Sequence, residues 1–400
     1  MRFAEVINQD AVKKHLREMI SENRLSHALF FLARDGAGGL PLARAFAQYI
    51  VCEKSNPAAA KSAGPSLFGD EPESATPEDS CGVCPACIKA SQLVHPDIHY
   101  TFPVIPNKPN TPPVSADFIT PFRTWAVENP YSNSYEWLQY IAAENKQGNI
   151  TAKECEVILH NMSLKSFEST YKIQIIWMPE ALGKEGNKLL KVIEEPPPNT
   201  VFILVAENDE LVLPTILSRV QLIKIPALTT DDITSALISR ESVPEETARK
   251  IAGMSDGSYL EALQILQHQG DDWDALLKEW MNSIVRTGPV AQLKIIDEIA
   301  RIGREKQKQL LRYFIQILQH ALHISILGSQ RVADKESENV HEFAEKLQRF
   351  LNTQQLEAIV HELDKSSYYI ERNAHAKVTF HALTIKLYHI ISDKSLILVK

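Results

Sequence analysis

The chain has 400 residues, which by size allows about two to four domains. Its 44% hydrophobic and 23% charged residues are typical of a globular protein, and its net charge of −8 argues against a protein that coats nucleic acid through a basic surface. No apolar run is long enough to span a membrane, and the first residues lack the cationic and then apolar pattern of a secretory signal, so we expect a cytoplasmic protein.

An alternation of apolar strands and helices over the first 225 residues predicts an α/β domain. Residues 27–32 form a short apolar run typical of a buried strand, and a glycine cluster separates it from a helix over 42–51. Three further strands are expected, over 171–178, 200–206 and 220–225. Buried strands that alternate with helices are typical of a mostly parallel sheet with helices on both faces.

Two segments interrupt this pattern. Residues 53–80 are rich in Pro, Ala, Ser, Gly and acids, which predicts a solvated loop. Residues 102–147 begin with a proline-rich stretch, expected to be extended and free of helix as far as residue 121. Five aromatic residues follow and are expected to pack in the core: Trp125, Tyr131, Tyr135, Trp137 and Tyr140.

Helical periodicity dominates after Pro226, where strand patterns are nearly absent. Residues 230–267 predict a small helical unit. Residues 272–392 predict a helix bundle, because apolar residues over 310–322 recur at i, i+3, i+4 and i+7.

Cys81, Cys84 and Cys87 form a double C-x2-C motif. Thiolates at this spacing converge on one ion when the backbone turns tightly, whereas five cysteines are too few for a disulfide scaffold of this size. A structural zinc ion takes four ligands in a tetrahedron, and Cys52 and His95 are the two candidates for the fourth. The motif therefore predicts a structural zinc site.

The glycine cluster has the outline of a phosphate-binding loop without its charged groups. A working P-loop reads G-x-x-x-x-G-K-[ST], with the lysine on the β- and γ-phosphates and the hydroxyl on magnesium. Here Ala33 stands at the first glycine, Gly39 at the lysine and Leu40 at the hydroxyl, while Gly36 and Gly38 retain the shape of the turn.

A second group that an ATP site needs is also missing from the sequence. The magnesium-binding carboxylate that usually ends the central strand is missing, because Trp177 and Met178 follow the apolar run there. Together the two losses predict a chain that does not hydrolyse ATP by itself.

Several short motifs occur in a specific order. They are RLSHA at 24–28, the glycine turn, Cys52 with CGVCPAC at 81–87, HPD at 95–97, NKLLK at 187–191 with EEPP at 194–197, and LPTILSR at 213–219. In this order they resemble the delta-prime subunits of the bacterial DNA polymerase III clamp loader, which are relatives of the AAA+ ATPases. The resemblance covers about 1–100 and 150–225; the helical remainder matches in pattern only.

The resemblance implies an α/β P-loop NTPase-like (AAA+) parallel-sheet domain over 1–228, followed by all-α parts. The α/β domain would carry a zinc module at about 52–87 and, as a departure from the family core, an insertion at about 102–147. A small helical lid would follow over 229–271, and a helical collar over 272–400 would build the subunit ring.

The resemblance also implies roles for individual residues. The zinc ligands would be Cys52, Cys81, Cys84 and Cys87, which favours Cys52 over His95. In active relatives the lid offers an arginine to the nucleotide shortly after a Gly-Ser pair, whereas Tyr259 follows the pair here. The resemblance thus implies a chain that neither binds nor hydrolyses ATP, which agrees with the altered glycine turn.

Ser218 and Arg219 match a Ser-Arg-Cys segment whose arginine, in clamp loaders, reaches ATP held by the neighbouring subunit. Spacing alone favours a solvent-exposed arginine near a strand; the resemblance favours Arg219 as a trans arginine finger, with Ser218 supporting it. Val220 replaces the cysteine, which leaves the chemistry of the arginine intact.

The function implied is that of a subunit without ATPase activity of its own in the DNA polymerase III holoenzyme. It would be a stator in a ring with gamma/tau-type ATPase subunits and a delta subunit, which opens the sliding clamp and loads it on primed DNA. Two alternatives stay open: an active AAA+ ATPase with an unorthodox turn, and a nucleic-acid-binding protein built on the zinc module. No membrane partner is expected.

Overall fold

The computed structural model describes residues 1–55, 77–106, 111–142, 148–267, 273–327, 338–371 and 374–392. The chain divides into two compact units, residues 1–267 and 268–400. Most of the loop predicted over 53–80 lies outside the described residues, as do parts of the insertion at 107–110 and 143–147.

The first unit is built on a parallel five-stranded sheet in the order β2-β3-β4-β1-β5. The strands are β1 Ala28–Ala33, β2 Ile98–Thr101, β3 Lys172–Trp177, β4 Thr200–Ala206 and β5 Gln221–Ile225. Phe30 of β1 lies beside Leu204 of β4 and Leu222 of β5 in the register. The predicted parallel α/β fold, followed by all-helical segments, is confirmed; β2, which has four residues at the sheet edge, is an additional strand that the sequence pattern did not reveal.

The helices of the first unit lie on both faces of this sheet and, after β5, in a group of three that packs around its own core. They are α1 Asp10–Ser21, α2 Gly39–Val51, α3 Pro85–Ser91, α4 Ile119–Glu128, α5 Ser134–Tyr140, α6 Ala152–Ser163, α7 Leu190–Glu194, α8 Pro214–Leu217, α9 Thr230–Glu241, α10 Glu245–Met254 and α11 Tyr259–Gln267. Side chains of β1 alternate between the two faces, so Leu29 and Phe31 join the core under α2, whereas Ala28 and Phe30 join the core under α6.

Local sequence explains where two of these helices begin. Gly38 has a φ of +98°, and the chain turns there into α2, which is buried over its whole length. Thr151 caps α6, since its side chain accepts a hydrogen bond from the backbone N–H of Glu154 at 3.2 Å. The Glu154 carboxylate instead accepts hydrogen bonds from Thr101 and from the backbone of Ser115.

The insertion packs an aromatic cluster against the sheet. The rings of Phe102 and Phe122 stack with centroids 3.8 Å apart, and Trp137 meets both edge-on at 5.2 Å. The ring centroids of Trp125 and of Trp177, at the end of β3, are 5.4 Å apart. The predicted burial is therefore confirmed for Trp125 and Trp137.

Two details of the insertion differ from expectation. Tyr140 is 48% exposed rather than buried. The stretch before residue 121 is not free of helix, because a short 3-10 turn, Ser115–Phe118, leads into α4 at Ile119. Pro121 is tolerated there since it lies in the first turn of α4, where backbone N–H groups have no helical partner.

Helices α9 to α11, called the lid helices below, pack around Ile233, Leu237, Ala248 and Tyr259. They belong to the same compact unit as the sheet. The predicted boundary between the α/β domain and the lid at 228/229 stays a prediction, as does the lid–collar boundary at 271/272.

The second unit is helical throughout its described part. Its helices are α12 Trp273–Asn282, α13 Pro289–Arg301, α14 Arg304–Leu327, α15 Glu338–Phe350, α16 Thr353–Glu371 and α17 Ala376–Ser392. Trp280 lies at the centre, edge-on to Phe314 and Phe380, and its indole N–H donates to the hydroxyl of Thr384 at 3.0 Å. Among the described residues of both units, no helix has the length and hydrophobicity needed to cross a membrane.

Candidate functional site

The glycine turn between β1 and α2 packs directly against the start of the last lid helix. Gly36 has a φ of +70°, and a Cβ atom on it would lie 2.1 Å from the hydroxyl of Ser258. The backbone N–H of Tyr259 donates to the carbonyl of Gly36 at 3.1 Å. The turn thus needs glycine both for its conformation and for its contact with the lid.

Ala33 and Gly39 occupy the first-glycine and lysine positions of the P-loop pattern. A Cβ atom on Gly39 would lie 2.8 Å from the Cβ of Ala33 and 3.1 Å from a methyl group of Val205. A contact of 2.8 Å is closer than carbon atoms approach, so a lysine at position 39 has no room unless Ala33 or the backbone moves.

The end of β3 places an indole where a P-loop enzyme has its magnesium-binding acid. Trp177 is buried and lines the same cavity as Gly36, Gly38 and Gly39. The volume of this cavity is about 30 Å³, a small fraction of the roughly 300–1,000 Å³ of ligand-binding pockets. The lost lysine, lost acid and small cavity all disfavour a bound nucleotide.

Residues of the insertion lie over the same turn. The ring of Tyr131 is 3.1 Å from the position of a Cβ atom on Gly38, and its hydroxyl accepts a hydrogen bond from the backbone N–H of Ile7 at 2.7 Å. The side chain of Asn133 donates to the carboxylate of Asp35 at 2.9 Å. The burial predicted for Tyr131 is therefore confirmed, but its position at the turn was not foreseen.

The four cysteines of the predicted metal site lie together. The sulfur atoms of Cys52, Cys81, Cys84 and Cys87 are all within 4.8 Å of one another, and those of Cys81 and Cys87 are 3.9 Å apart. Zn–S bonds of about 2.3 Å in a tetrahedron place two sulfurs about 3.8 Å apart. The spacing therefore fits a tetrahedral metal ion.

Backbone N–H groups support the same arrangement. The backbone N–H of Cys81 donates to the sulfur of Cys52 at 3.3 Å. The backbone N–H of Cys84 donates to the sulfur of Cys81 at 3.4 Å, and that of Cys87 donates to the sulfur of Cys84 at 3.5 Å. Gly82, with a φ of +72°, makes the tight turn between the first two cysteines of the motif, and Pro85 begins α3 directly after Cys84. Such N–H groups stabilise thiolates, the form in which cysteine binds metal.

The protonation of the cluster is uneven without a metal. A hydrogen bond from the Cys87 thiol lowers the pKa of Cys52 to about 4, and the same contact, together with burial, raises the pKa of Cys87. One thiolate is thus favoured before any ion binds. The donor set, the spacing and the hydrogen bonds all fit a structural metal ion of the zinc type.

His95 is not part of this cluster. Its ring Nδ1 accepts a hydrogen bond from the backbone N–H of Asp97 at 3.1 Å, so the side chain closes the His-Pro-Asp turn. The Asp97 carboxylate in turn accepts bonds from the backbone N–H groups of Glu168 and Ser169, both at 2.7 Å. The cysteines, and not His95, therefore supply four converging ligand atoms.

Arg219 lies between α8 and β5, with 33% of its side chain exposed. Its Nη1 donates to the carbonyl of Thr215 at 2.9 Å and to the hydroxyl of Ser218 at 3.2 Å. Its Nε donates to the carboxylate of Glu194 at 2.7 Å. The guanidinium is therefore held in one orientation at the surface of the first unit.

Glu194 is a partner that sequence reasoning missed, because in the sequence it appears only as part of the EEPP motif at 194–197. The carboxylate comes from the last residue of α7, 25 positions before Arg219. No spacing rule links the two positions, because their approach depends on how α7 and α8 pack.

Comparison with known proteins identifies the family. The family model described as DNA polymerase III, delta subunit, matches residues 8–229, more than half of the chain. The chain belongs to this family. The match spans the glycine turn, the cysteine cluster and Arg219, whereas Ser258 and Tyr259 of the lid lie outside it.

The relatives of this delta-subunit family member include DNA polymerase III subunits of more than one type. It is 23% identical to DNA polymerase III subunit tau of Bacillus subtilis over 96% of the chain and 61% of that relative. It is 24% identical to the delta-prime subunit of the same organism over 64% of the chain and 59% of that relative. It is 23% identical to the delta-prime subunit of Haemophilus influenzae over 77% of the chain and 75% of that relative.

The chain thus spans about three fifths of the two Bacillus subtilis relatives. Among solved structures, a DNA polymerase III gamma-subunit-related protein of Thermotoga maritima is similar with 14% identity and a TM-score of 0.38, covering 95% of this chain and 99% of that one.

Proposed function

We propose that this chain is a delta-prime-type subunit of the replicative DNA polymerase III clamp loader, without ATPase activity of its own. It acts as a stator in a ring with gamma/tau-type ATPase subunits and a delta subunit, and the ring loads the sliding clamp on primed DNA. Membership of the delta-subunit family and the tau and delta-prime relatives support this proposal.

The observation that carries the proposal is the contact between positions 33 and 39. In a P-loop the lysine gives the phosphates a cation and the adjacent hydroxyl holds magnesium. Here the Cβ of Ala33 fills the space that a side chain on Gly39 needs, and Trp177 replaces the acid. A triphosphate would meet no compensating charge from either position.

The contribution of this subunit to catalysis is Arg219, offered to ATP bound by the neighbouring subunit. A guanidinium next to the transferred phosphoryl group stabilises the charge of the transition state and, in well-studied NTPases, contributes on the order of 10³–10⁵ in rate. Support comes from its partial exposure and from the contacts with Ser218 and Glu194, which orient it in advance.

A structural zinc ion held by the four cysteines completes the proposal. Four protein ligands leave no open position, so the ion would stabilise the fold rather than take part in chemistry. It would fasten α3 to the end of α2, because Cys52 follows α2 and Cys87 lies within α3.

Titration of the full chain with Mg·ATP by calorimetry tests whether the chain lacks ATPase activity of its own, and no heat of binding is expected. Tight binding would support the alternative of an active AAA+ ATPase. A DNA mobility shift with the chain alone tests the other alternative, since direct phosphate contacts would weaken steeply as salt is raised. Co-purification of the chain with the other clamp-loader subunits tests its place in the ring.

A further inference from the structure

Residues 130–136 of the insertion lie between the glycine turn and the lid helices. Pro130, Tyr131 and Ser132 line the same 30 Å³ cavity as the turn. Tyr131 is only 4% exposed, so its ring is almost completely enclosed. The small volume of the cavity is therefore due in part to a side chain of the chain itself.

Tyr131 touches three separate parts of the first unit. Its ring edge packs on Gly38 of the turn, and its hydroxyl accepts a hydrogen bond from the backbone of Ile7 near the start of the chain. The third contact is with Tyr259 of α11, whose ring meets it edge-on with centroids 5.2 Å apart. Burial raises the pKa of both tyrosines, which therefore stay neutral.

Arg240, on the first lid helix, contacts both tyrosine rings and the N-terminal segment. Its guanidinium carbon lies 5.6 Å from the ring centroid of Tyr131 and 5.8 Å from that of Tyr259, within the range of cation–π attraction. Its Nη2 donates to the carbonyl of Glu5 at 2.7 Å. The first lid helix is thus joined to the N-terminal segment across the two tyrosine rings.

Two side-chain hydrogen bonds add further links between the insertion, the lid helices and the glycine turn. Gln264 of α11 donates to the carboxylate of Glu136 at 2.8 Å, which links the lid to the insertion. Asn133 donates to Asp35 at 2.9 Å, which links the insertion to the glycine turn. Residues 131, 133 and 136 therefore contact the lid or the turn through one ring and two polar groups.

We propose that residues 130–136 are a built-in occupant of the remnant nucleotide site, with Tyr131 over the turn where a working P-loop protein binds its nucleotide. The segment holds the lid helices on the α/β core without any ligand. This proposal goes beyond the proposed function, because it concerns what fixes the lid and needs neither a partner subunit nor Arg219.

Hydrogen–deuterium exchange on the full-length chain tests the proposal, with the amides of β1, β3 and β4 as internal reference. Tyr131→Ala should make the amides of α9 to α11 exchange about tenfold faster or more, since it removes a hydrogen bond, a ring contact and a cation–π contact at once. Tyr140→Ala is the matched control, because this half-exposed tyrosine of the same insertion stacks on Trp137 instead.

Arg240→Gln gives a second test that leaves the cavity filled. Arg240 is exposed, so its replacement keeps the core packing while it removes the contacts with both rings and with Glu5. Faster exchange confined to the lid helices is expected, whereas Arg249→Gln, on the neighbouring lid helix, should have no such effect.

If the lid amides of Arg240→Gln and Tyr131→Ala exchange at the rates of their controls, the insertion does not hold the lid and the proposal is wrong. Loss of the whole fold in Tyr131→Ala would leave the decision to Arg240→Gln. Neither result bears on ATP turnover in a reconstituted ring, so failure here is distinct from failure of the proposed function.

Discussion

The Cβ atom of Ala33 stands 2.8 Å from the place that a Cβ atom on Gly39 would take. Compared with the P-loop pattern, position 33 carries a methyl group and position 39 lacks a side chain, and the methyl group at 33 leaves no room for a side chain at 39. Gly39→Lys should therefore destabilise the chain by about 1–3 kcal/mol through overpacking. Ala33→Gly combined with Gly39→Lys should recover part of that loss in denaturant melts, and additive effects of the two substitutions would contradict the contact.

Arg219→Ala should lower ATP turnover of the reconstituted clamp loader while the stability of the isolated chain stays within about 1 kcal/mol of its original value. The small effect on stability is expected because Arg219 and Glu194 form a partly exposed ion pair. The measurement is steady-state ATP hydrolysis with clamp and primed DNA present.

Arg249→Ala is the matched control for this experiment. Arg249 also pairs with a glutamate, Glu245 at 3.0 Å, but it lies on the exposed face of α10. Arg219→Lys keeps the charge and loses the planar fork, so it should restore only a minor part of the turnover. Turnover of Arg219→Ala equal to that of Arg249→Ala would rule out the trans arginine.

Glu194→Gln should lower turnover of the same complex by less than Arg219→Ala does. The carboxylate accepts a hydrogen bond from Nε of Arg219 and orients the guanidinium, so its loss should reduce kcat and leave KM for ATP nearly unchanged. Glu195→Gln is the control, because Glu195 is equally exposed and adjacent in sequence. Equal kcat values for the two variants would remove the positioning role of Glu194.

Cys84→Ser should abolish stoichiometric metal content and lower the thermal stability of the chain, because the binding energy of a structural metal is folding energy. Cys155→Ser is the control: this buried cysteine lies on α6 and its thiol contacts the carbonyl of Glu185 instead. Elemental analysis of the purified chain checks both variants. Absence of metal from the unmodified protein would refute the site without any mutation.

Acidification should destabilise the turn that contains His95. Burial lowers the pKa of His95, with Lys89 acting in the same direction, while Asp97 and Glu168 oppose the shift in part. The folded state therefore prefers the neutral ring, so this contribution to stability is complete above the unfolded pKa of about 6.5 and is lost as pH falls through the lower folded value.

His95→Asn should flatten that dependence, because Asn keeps an acceptor for the backbone N–H of Asp97 and does not titrate. His15→Asn, an exposed position on α1, serves as control. Denaturant melts between pH 5 and 7 should show a smaller loss for His95→Asn than for the control. If the free energy of unfolding depended on pH equally in both variants, His95 would not be the source of this pH dependence.

Features set by local sequence could be predicted. Apolar runs at 27–32, 171–178, 200–206 and 220–225 predicted four strands, which the structure has as β1, β3, β4 and β5. Strand β2 was not recognised, because its four residues form no continuous apolar run and lie directly before the proline-rich stretch.

The site was predictable to the extent that its chemistry is contiguous. The double C-x2-C motif predicted three of the four clustered cysteines, and the family resemblance favoured Cys52 over His95 as the fourth. The altered P-loop pattern predicted the missing charges. The pairing of Arg219 with Glu194, and the position of Tyr131 over Gly38, depend on segments distant in sequence whose approach is set by tertiary packing. Composition and periodicity carry no information about such contacts.

The tyrosine that covers the glycine turn is covalently part of the chain, so its effective concentration at that turn is fixed by the fold. A diffusible ligand would leave and return as cellular ATP and ADP levels change, and the lid would follow. If Tyr131 occupies the remnant site as proposed, a ring that contains this chain would respond to cellular ATP and ADP levels only through its neighbouring protomers.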